Sequence, residues 1–332
     1  MAGVTVGVWF QANRPVREIV DWARLAESVG VDFVGVTDGQ MIWREAYVAL
    51  AAVAVATSRV RLGPWVTNPL TRHPTVTASA ICTLDELSDG RAFLAIATGG
   101  DSVFTIDNRP IDKRPVTLAE LGEAIGMIRS LASGEEIVVK DRRWHLATAR
   151  PESPPPIYSA AAGGAALAAG GSFADGVIDS GWLVPEMLSA AVAEIESGAT
   201  RAGRDPSGVA KIFNSGLALS ADGAAARNLV KTYVANGLTL KRSTGVPGWS
   251  EEQRVDLAAR YDMYQHFSPT QPAAAFVPDE LVARKAIAGT PEEAVDLLKM
   301  VIAAGYTQIA LTPFGDVAET VRLFGEQVLP RL

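Results

Sequence analysis

The chain is poor in the residues that build disulfides and transition-metal sites. Its 332 residues include one cysteine, Cys82, and three histidines, His73, His145 and His266. A lone cysteine excludes an intramolecular disulfide and a cysteine-based zinc cluster. Zinc and similar transition metals are bound by cysteine, histidine and carboxylate side chains. With one cysteine and three histidines far apart in the sequence, the chain has few of these ligands. The sequence therefore predicts no metal site.

Positive charge is also scarce. Charged residues make up 20% of the chain, the formal net charge is -7, and no lysine and arginine run resembles a nucleic-acid-binding patch. Such a chain has no general attraction for polyanions, so neither nucleic acid nor an anionic membrane surface is an expected partner. No segment reaches the ~20 uninterrupted apolar residues of a membrane span, and the opening MAGVTVGVWF lacks the basic region of a secretory signal. We expect a cytoplasmic protein.

Hydrophobic residues form 48% of the chain and fall into short apolar runs that alternate with longer amphipathic stretches. Eight strands, each followed by a helix, predict an α/β fold: a (β/α)8 TIM barrel that spans residues 1–332 as a single domain. Such barrels typically have ~250 residues, and insertions account for the excess. An open doubly wound sheet is the alternative, but WFQANRP follows the first strand where that fold has a G-x-G-x-x-G turn.

Two segments interrupt the alternation. EEIVVKDRRWHL alternates around a charged tip and predicts an inserted hairpin near 135–146. From about 236 to 285 the period is lost and aromatic side chains gather, among them Tyr261, His266 and Phe267. Because this stretch is too long for an ordinary loop, we expect a helical insertion that covers a site.

The C-terminal ends of the strands, where barrel enzymes place their active sites, carry amides, hydroxyls and glycines. They lack paired carboxylates and paired histidines, which suits a cofactor that brings its own chemistry. Two glycine-rich turns favour close approach of a ligand or a phosphate at a helix start. These turns contain Thr98, Gly99, Asp101 and Ser102 in ATGGDS, and Ala162, Gly163 and Gly164 in AAGGAALAAGG. The alternative is that these glycines only turn the chain or allow tight helix packing.

One stretch carries a family resemblance. LGPWVTNPLTRHPTVTASAICTLDELSDGRAFLAIATGGDS, residues 62–102, resembles the luciferase-like flavin and deazaflavin oxidoreductases. Within them it is most similar to the coenzyme F420-dependent methylenetetrahydromethanopterin reductases, whose TNP-x-TRHP segment matches residues 67–74. The likeness continues in FADGV (173–177) and in the C-terminal AGTPEEAVDLLKMVIAAGYTQIALTPFG.

The resemblance implies where the cofactor and the catalytic groups lie. It implies a (β/α)8 barrel with a cis peptide at Trp65–Val66, in a bulge where Val66 and Thr67 back the flavin or deazaflavin ring and Asn68 faces the pocket. Asp38 matches an acidic residue near the ring or substrate. By the same match, Asp101 and Ser102 lie near the cofactor, and Gly163 and Gly164 hold its phosphate; Thr98, Gly99 and Ala162 belong to the same two turns and are candidate cofactor contacts with them. The candidate catalytic acids are Asp38, from this match, and His266, from its place among the aromatic side chains of the predicted insertion.

Three positions depart from the family pattern. Gly39 follows Asp38 where family members often have histidine, so one candidate proton donor is missing. Trp9 and Trp65 stand where the methylene reductases carry a glutamate and a small residue. These departures count against a pterin substrate and leave the cofactor site in place.

The resemblance gives three functional hypotheses. The first is a coenzyme F420-dependent oxidoreductase that transfers a hydride between the deazaflavin and a small organic substrate. The second is an FMN-dependent monooxygenase that uses oxygen and reduced flavin supplied by a partner reductase. The third is a flavin-binding protein without turnover. The TNP-x-TRHP segment favours F420, and the family implies a homodimer.

Overall fold

The computed structural model describes residues 3–100, 116–148, 151–161, 163–240 and 246–332. Eight parallel strands form its barrel: β1 (Thr5–Phe10), β2 (Phe33–Val36), β3 (Arg61–Pro64), β4 (Leu94–Ile96), β7 (Ile157–Ala161), β8 (Gly176–Asp179), β9 (Ala210–Leu219) and β11 (Gln308–Pro313). Their order is β3-β2-β1-β11-β9-β8-β7-β4. Two isolated bridges, Leu62 with Ala92 and Thr67 with Ile96, join the β3 and β4 segments and close the ring. The predicted (β/α)8 barrel is confirmed.

Helices pack around the barrel and follow its strands. Their bounds are α1 (Val16–Ser28), α2 (Ala46–Ala56), α3 (Pro74–Leu87), α4 (Leu118–Ala132), α5 (Gly164–Phe173), α6 (Pro185–Arg201), α7 (Gly223–Leu229), α8 (Lys231–Thr239), α9 (Glu251–Arg260), α10 (Asp279–Ala283), α11 (Pro291–Ala303) and α12 (Val317–Leu323). Capping boxes begin α4, α9 and α11, in each case because a Ser or Thr side chain and a residue three positions later satisfy each other's backbone N–H. Within the described ranges, no helix has the length and apolarity needed to cross a membrane.

The remaining strands lie outside the eight-strand ring. An antiparallel hairpin pairs β5 (Ile137–Val139) with β6 (Arg142–Trp144). A short strand that the sequence pattern did not predict, β10 (Ile287–Gly289), pairs with the far end of β9. The described part of the segment between α8 and β10, residues 246–286, contains α9, two 3-10 turns and α10, and its residues 258–267 lie over the C-terminal ends of the strands.

Aromatic side chains fill the barrel interior, which branched aliphatic residues fill in most such barrels. The inward-facing aromatic residues from successive strands are Trp9, Phe33, Trp65, Phe93 and Tyr158. The ring of Phe33 stacks on that of Trp65 at 5.6 Å, and the edge of Phe93 meets Trp65 at 5.9 Å.

Glycines on the neighbouring strands make room for these rings. A Cβ atom at Gly35 would lie 2.8 Å from the Cβ of Trp65 and 2.9 Å from the Cβ of Trp9. A Cβ at Gly7 would overlap the ring of Phe33, and one at Gly63 would overlap the carbonyl oxygen of Phe93. The interior therefore depends on three positions that have no side chain.

Gly35→Ala tests this packing. The added methyl group has to displace Trp9 and Trp65, which are packed against the other aromatic side chains of the barrel interior. We therefore expect the free energy of unfolding to fall by about 1–3 kcal/mol. Gly126→Ala is the matched control, because Gly126 is an exposed position in α4 where an added Cβ would have nothing within 4 Å of it. That change should raise stability by up to about 1 kcal/mol. Urea unfolding of the two variants should therefore give opposite signs, and equal stabilities would contradict the packing argument.

Candidate active site

A cavity of about 620 Å³ lies at the C-terminal ends of the strands. Strand-end residues form its floor, and the segment between α8 and α10 forms its roof. Four of the predicted site residues line it, Asp38, Trp65, Val66 and His266. Thr67, Asn68, Thr98, Gly99, Gly163 and Gly164 are not among the residues that line it, and Asp101, Ser102 and Ala162 lie outside the described residues.

The bulge after β3 forms one wall of the cavity. Its Trp65–Val66 peptide bond is cis, as the resemblance implies. The bulge is fixed to β4 by two backbone hydrogen bonds at 2.9 Å, from Thr67 N–H to the Ala95 carbonyl and from Ala97 N–H to the Thr67 carbonyl. The Thr67 side chain is buried, and its hydroxyl has no hydrogen-bond partner. Val66 therefore faces the cavity from a backbone that two strands hold.

Asn68 has a different position from the one expected. Its side-chain oxygen accepts hydrogen bonds from the backbone N–H groups of Leu70, at 3.0 Å, and Thr71, at 2.9 Å. This arrangement turns the chain toward α3, whose start is capped by the His73 ring accepting from Thr75 N–H at 3.3 Å. Asn68 and His73 thus shape the TNP-x-TRHP segment through local contacts.

Asn214 is the polar centre of the cavity floor. Its side-chain oxygen accepts hydrogen bonds from the indole N–H groups of Trp9, at 2.7 Å, and Trp65, at 3.1 Å. Its side-chain nitrogen donates to the hydroxyl of Ser180 at 2.9 Å. One amide therefore fixes the planes of both tryptophans. Sequence reasoning placed Asn214 at a strand end but gave it no role, although β9 alternation points it inward with Ile212.

Asp38 faces the cavity but is already engaged. Its carboxylate accepts from the Arg72 guanidinium at 2.6 Å, and the Asp38 side chain is only 7% exposed. Arg72 also pairs with Glu45 and stacks over the Tyr47 ring at 4.8 Å. Burial alone would lower the pKa of Arg72, but the carboxylates of Asp38 and Glu45 outweigh it and raise that pKa. The pair is therefore an ionised bridge between β2 and the segment before α3.

The space beside Asp38 is filled by an indole ring. A Cβ atom at Gly39 would lie 2.9 Å from Cε3 of Trp43. Trp43 in turn packs against His266, with ring centroids 5.3 Å apart, and Phe267, at 6.4 Å. A side chain at position 39 and this placement of Trp43 exclude each other.

His266 lies in the roof, largely buried. Its Nδ1 shares a 2.7 Å hydrogen bond with the hydroxyl of Tyr261, which also lines the cavity. Burial lowers the pKa of His266 to about 4, because the aromatic rings around it leave the charged imidazolium poorly solvated. The ring is therefore neutral at neutral pH and can both accept and donate a proton.

The second glycine-rich turn leads into α5. Gly163 has φ +89, a conformation that side chains rarely adopt, and an added Cβ there would meet nothing within 4 Å. It precedes the first turn of α5, which has no acidic residue and no side-chain cap. Gly163, Gly164 and Ala165 are exposed, three to five residues beyond Ala160 in the cavity wall. The backbone N–H groups of this turn are exposed and favour an anion, and the Glu194 carboxylate already lies beside Gly164, 3.6 Å from where a Cβ on that glycine would be.

Across the described ranges, no three His, Cys, Asp or Glu side chains converge as metal ligands would. The chemical groups of the cavity are instead aromatic rings, hydroxyls, the amides of Asn214 and Asn236, the Asp38 carboxylate with its Arg72 partner, and a tyrosine–histidine pair. Such a site can bind a flat ring and a substrate beside it, and it can move a proton.

The family model of the luciferase-like monooxygenases matches residues 1–308. The chain belongs to the luciferase-like monooxygenase family. This membership confirms the resemblance read from residues 62–102, and with it the prediction of an oxidoreductase.

Relatives within the luciferase-like family cover nearly the whole chain. A 5,10-methylenetetrahydromethanopterin reductase from Methanolobus tindarius is 31% identical over 98% of this chain and 100% of the relative. An F420-dependent glucose-6-phosphate dehydrogenase from Beutenbergia cavernae is 28% identical over 95% of this chain and 93% of the relative. The solved structure of a coenzyme F420-dependent tetrahydromethanopterin reductase from Methanopyrus kandleri is 26% identical and superposes with a TM-score of 0.84 over 99% of both chains.

Replacement of Asn214 should loosen the cavity floor. Asn214→Leu leaves two buried indole N–H groups without an acceptor, at about 1–3 kcal/mol each. We expect the free energy of unfolding to fall by about 2–4 kcal/mol, and the tryptophan emission of the folded protein to change. Ser180→Ala keeps both indole bonds and is the control. If urea unfolding gives the two variants the same stability, Asn214 does not hold the tryptophans.

His266 should make stability depend on pH. Below its ordinary pKa near 6.5 the unfolded chain takes up a proton that the folded chain, with a pKa of about 4, does not. Stability is therefore lost as pH falls through this interval, by about 3 kcal/mol for a shift of this size. In His266→Gln the loss between pH 6.5 and 4 should shrink, whereas the exposed His145→Gln should keep it. Unfolding curves measured at each pH decide, and parallel profiles for all three proteins would contradict the burial of a neutral ring.

Proposed function

We propose that this enzyme is a coenzyme F420-dependent oxidoreductase that transfers a hydride between the deazaflavin and a small organic substrate. The observation that carries the proposal is the cavity wall at Val66, where a cis bulge held on β4 faces a roof of aromatic side chains. Relatives named for F420 in both a reductase and a dehydrogenase branch support this cofactor over FMN.

The described residues fit such a cofactor at two places. The cavity is deep and flanked by flat apolar surfaces at Trp65, Val66 and Phe267, which suit a tricyclic ring. The uncapped start of α5 suits a phosphate, because its N–H groups and the positive end of the helix dipole are exposed. Val66 and Thr67 would back the ring, with Asn68, Thr98 and Gly99 shaping the turns beside it. Gly163 and Gly164 would hold the phosphate, and Asp101, Ser102 and Ala162 remain proposed members of the same site.

When bound, F420 passes two electrons as a hydride at carbon, so the protein has to position and desolvate the substrate and to manage one proton. The roof formed by Tyr261, His266 and Phe267 would shield one side of a bound substrate from water. Of the two side chains predicted to be catalytic, Asp38 is ion-paired with Arg72, and His266 is the group that can carry a proton.

The substrate is proposed to be neutral and largely apolar. The tryptophans at positions 9 and 65 present ring surfaces to the cavity, because Asn214 takes up both of their N–H groups. Trp43 and Phe267 extend the same surface toward the roof. By family resemblance we further propose that the enzyme works as a homodimer.

Cofactor binding tests the proposal directly. The purified protein is titrated with F420 and with FMN, and bound chromophore is identified by mass. We expect tight binding of F420 and oxidation of reduced F420 by at least one of acetone, cyclohexanone and benzaldehyde. Binding of FMN with oxygen consumption would instead favour a monooxygenase, and binding without turnover would favour a flavin-binding protein.

Ala165→Glu tests the phosphate position. A carboxylate in the first turn of α5 favours the helix but repels a phosphate there, so the fold should be retained while the Kd for F420 rises about tenfold at low salt. Ala165→Gln has the same size without the charge and should stay within about twofold of the parent. Equal Kd values for the two variants would place the phosphate elsewhere.

A further inference from the structure

A second cavity, of about 650 Å³, lies on the other side of the roof. Ile42, Trp43, His266 and Phe267 line both cavities and form the partition between them. The second cavity is more polar at its rim, where Gln11, Asn13, Arg14, Glu18, Ser268 and Asp316 lie. These polar side chains can hold water in the second cavity, which is also lined by the rings of Phe10, Trp22 and Phe314.

Of the four partition residues, only His266 can carry a proton. Its ring contacts Phe267, with centroids 3.9 Å apart, and Trp43, at 5.3 Å. Its Nδ1 is joined to the hydroxyl of Tyr261 at 2.7 Å, and Tyr261 lines the first cavity and not the second. Tyr261 and His266 therefore connect the first cavity with the second cavity across the roof.

Asp38 cannot serve the same purpose. Its carboxylate is held at 2.6 Å by a guanidinium, and an ion-paired carboxylate has no proton to give. The neighbouring position, where a side chain could have offered a donor, is Gly39, and its space is taken by Trp43. The Tyr261 hydroxyl is a donor on the cavity side that connects to a second proton-carrying group.

We propose that the substrate is a ketone or aldehyde, that Tyr261 donates the proton to its carbonyl oxygen and that His266 restores this proton from the second cavity. This assignment rests on the proposed function. As the carbonyl carbon gains a hydride, the C=O π bond breaks and its electron pair passes to oxygen. That oxygen takes the proton of the Tyr261 hydroxyl, and the tyrosine oxygen takes the proton that His266 carries on Nδ1. His266 Nε2 takes a solvent proton from the second cavity, so both side chains end neutral.

The burial of His266 supports this role. The ring is neutral at neutral pH, so it can release a proton at one nitrogen and accept one at the other without creating a buried charge. Tyr261 is a catalytic residue in this scheme, and His266 is a relay that acts through it.

Tyr261→Phe and Tyr264→Phe are matched variants that test the donor. Tyr264 lines only the second cavity and its side chain is exposed. With reduced F420 and the ketone and aldehyde panel above, we expect Tyr261→Phe to lower the rate about 10²–10⁴-fold, the usual contribution of a general acid. Tyr264→Phe should keep the parent rate, and both should keep the Kd for F420 within about twofold. A parent-like rate in Tyr261→Phe with F420 bound would overturn the proposal.

His266→Ala tests the relay. It leaves a ring-sized space that opens on the second cavity, so added imidazole should restore at least a tenth of the lost rate in this variant and none in Tyr261→Phe. A residual rate that imidazole leaves unchanged, with F420 still bound, would reject His266 as a relay.

The hydrogen bond can also be measured without cofactor or substrate. Because the chain has only three histidines, ¹⁵N-histidine labelling gives an NMR spectrum of three imidazole rings. Tyr261→Phe should shift the His266 nitrogen resonances and leave those of His73 and His145 in place. An unshifted His266 signal would refute the Tyr261–His266 link. Failure of the parent enzyme to bind F420 would instead refute the proposed function, and the two failures are therefore distinguishable.

Discussion

The fit of aromatic rings against glycines inside the barrel determines the rest of the site. Tryptophan, phenylalanine and tyrosine side chains are too large to meet at the centre of an eight-stranded barrel unless neighbouring positions carry no side chain. Gly7, Gly35 and Gly63 lie on three adjacent strands: Gly7 is in register with Phe33 and Gly35 with Trp9, and Gly63, in register with Gly35, lies against Phe93. The rings of Trp9 and Trp65 lie at the level of the C-terminal strand ends. They form the floor of the cavity as well as the top of the core.

The two buried indole N–H groups need a hydrogen-bond acceptor, and Asn214 supplies it. An indole carries an N–H group that is costly to bury without an acceptor. Two such groups point to one place on β9, and a single amide oxygen with two lone pairs accepts both. The amide nitrogen then needs its own acceptor, which Ser180 supplies. Lys285, itself buried, donates to the backbone carbonyls of Ser180 and Gly181 and fixes that end of β8. The floor is thus one connected network.

The barrel could be predicted from the sequence because the hydrophobic pattern of each strand depends on neighbouring residues. The candidate site could be predicted only in part. Alternation and helix spacing identify the eight barrel strands from neighbouring residues alone, and the cis bulge was implied by the family resemblance of one continuous motif. β10 was missed because its three residues, Ile287–Gly289, precede a helix start and carry no alternation of their own. The role of Asn214 was not readable because its two donors lie 149 and 205 residues away along the chain. Asn68 bonds to N–H groups only 2 and 3 residues away, which is an ordinary turn role for asparagine, but the resemblance placed it facing the pocket instead.

The proposed proton donor lies in the roof and not at a strand end for a similar steric reason, because a large ring occupies the space beside a glycine. At the end of β2 a glycine takes the position where a donor could stand, and the Trp43 ring occupies the space. That ring, together with Phe267, encloses His266 and keeps it uncharged. A neutral imidazole beside a tyrosine hydroxyl is a better proton carrier than a carboxylate locked to arginine, because it exchanges a proton without leaving a buried charge behind. The Trp43 ring therefore excludes a donor side chain at position 39, and the same ring helps to bury His266, the proposed proton relay.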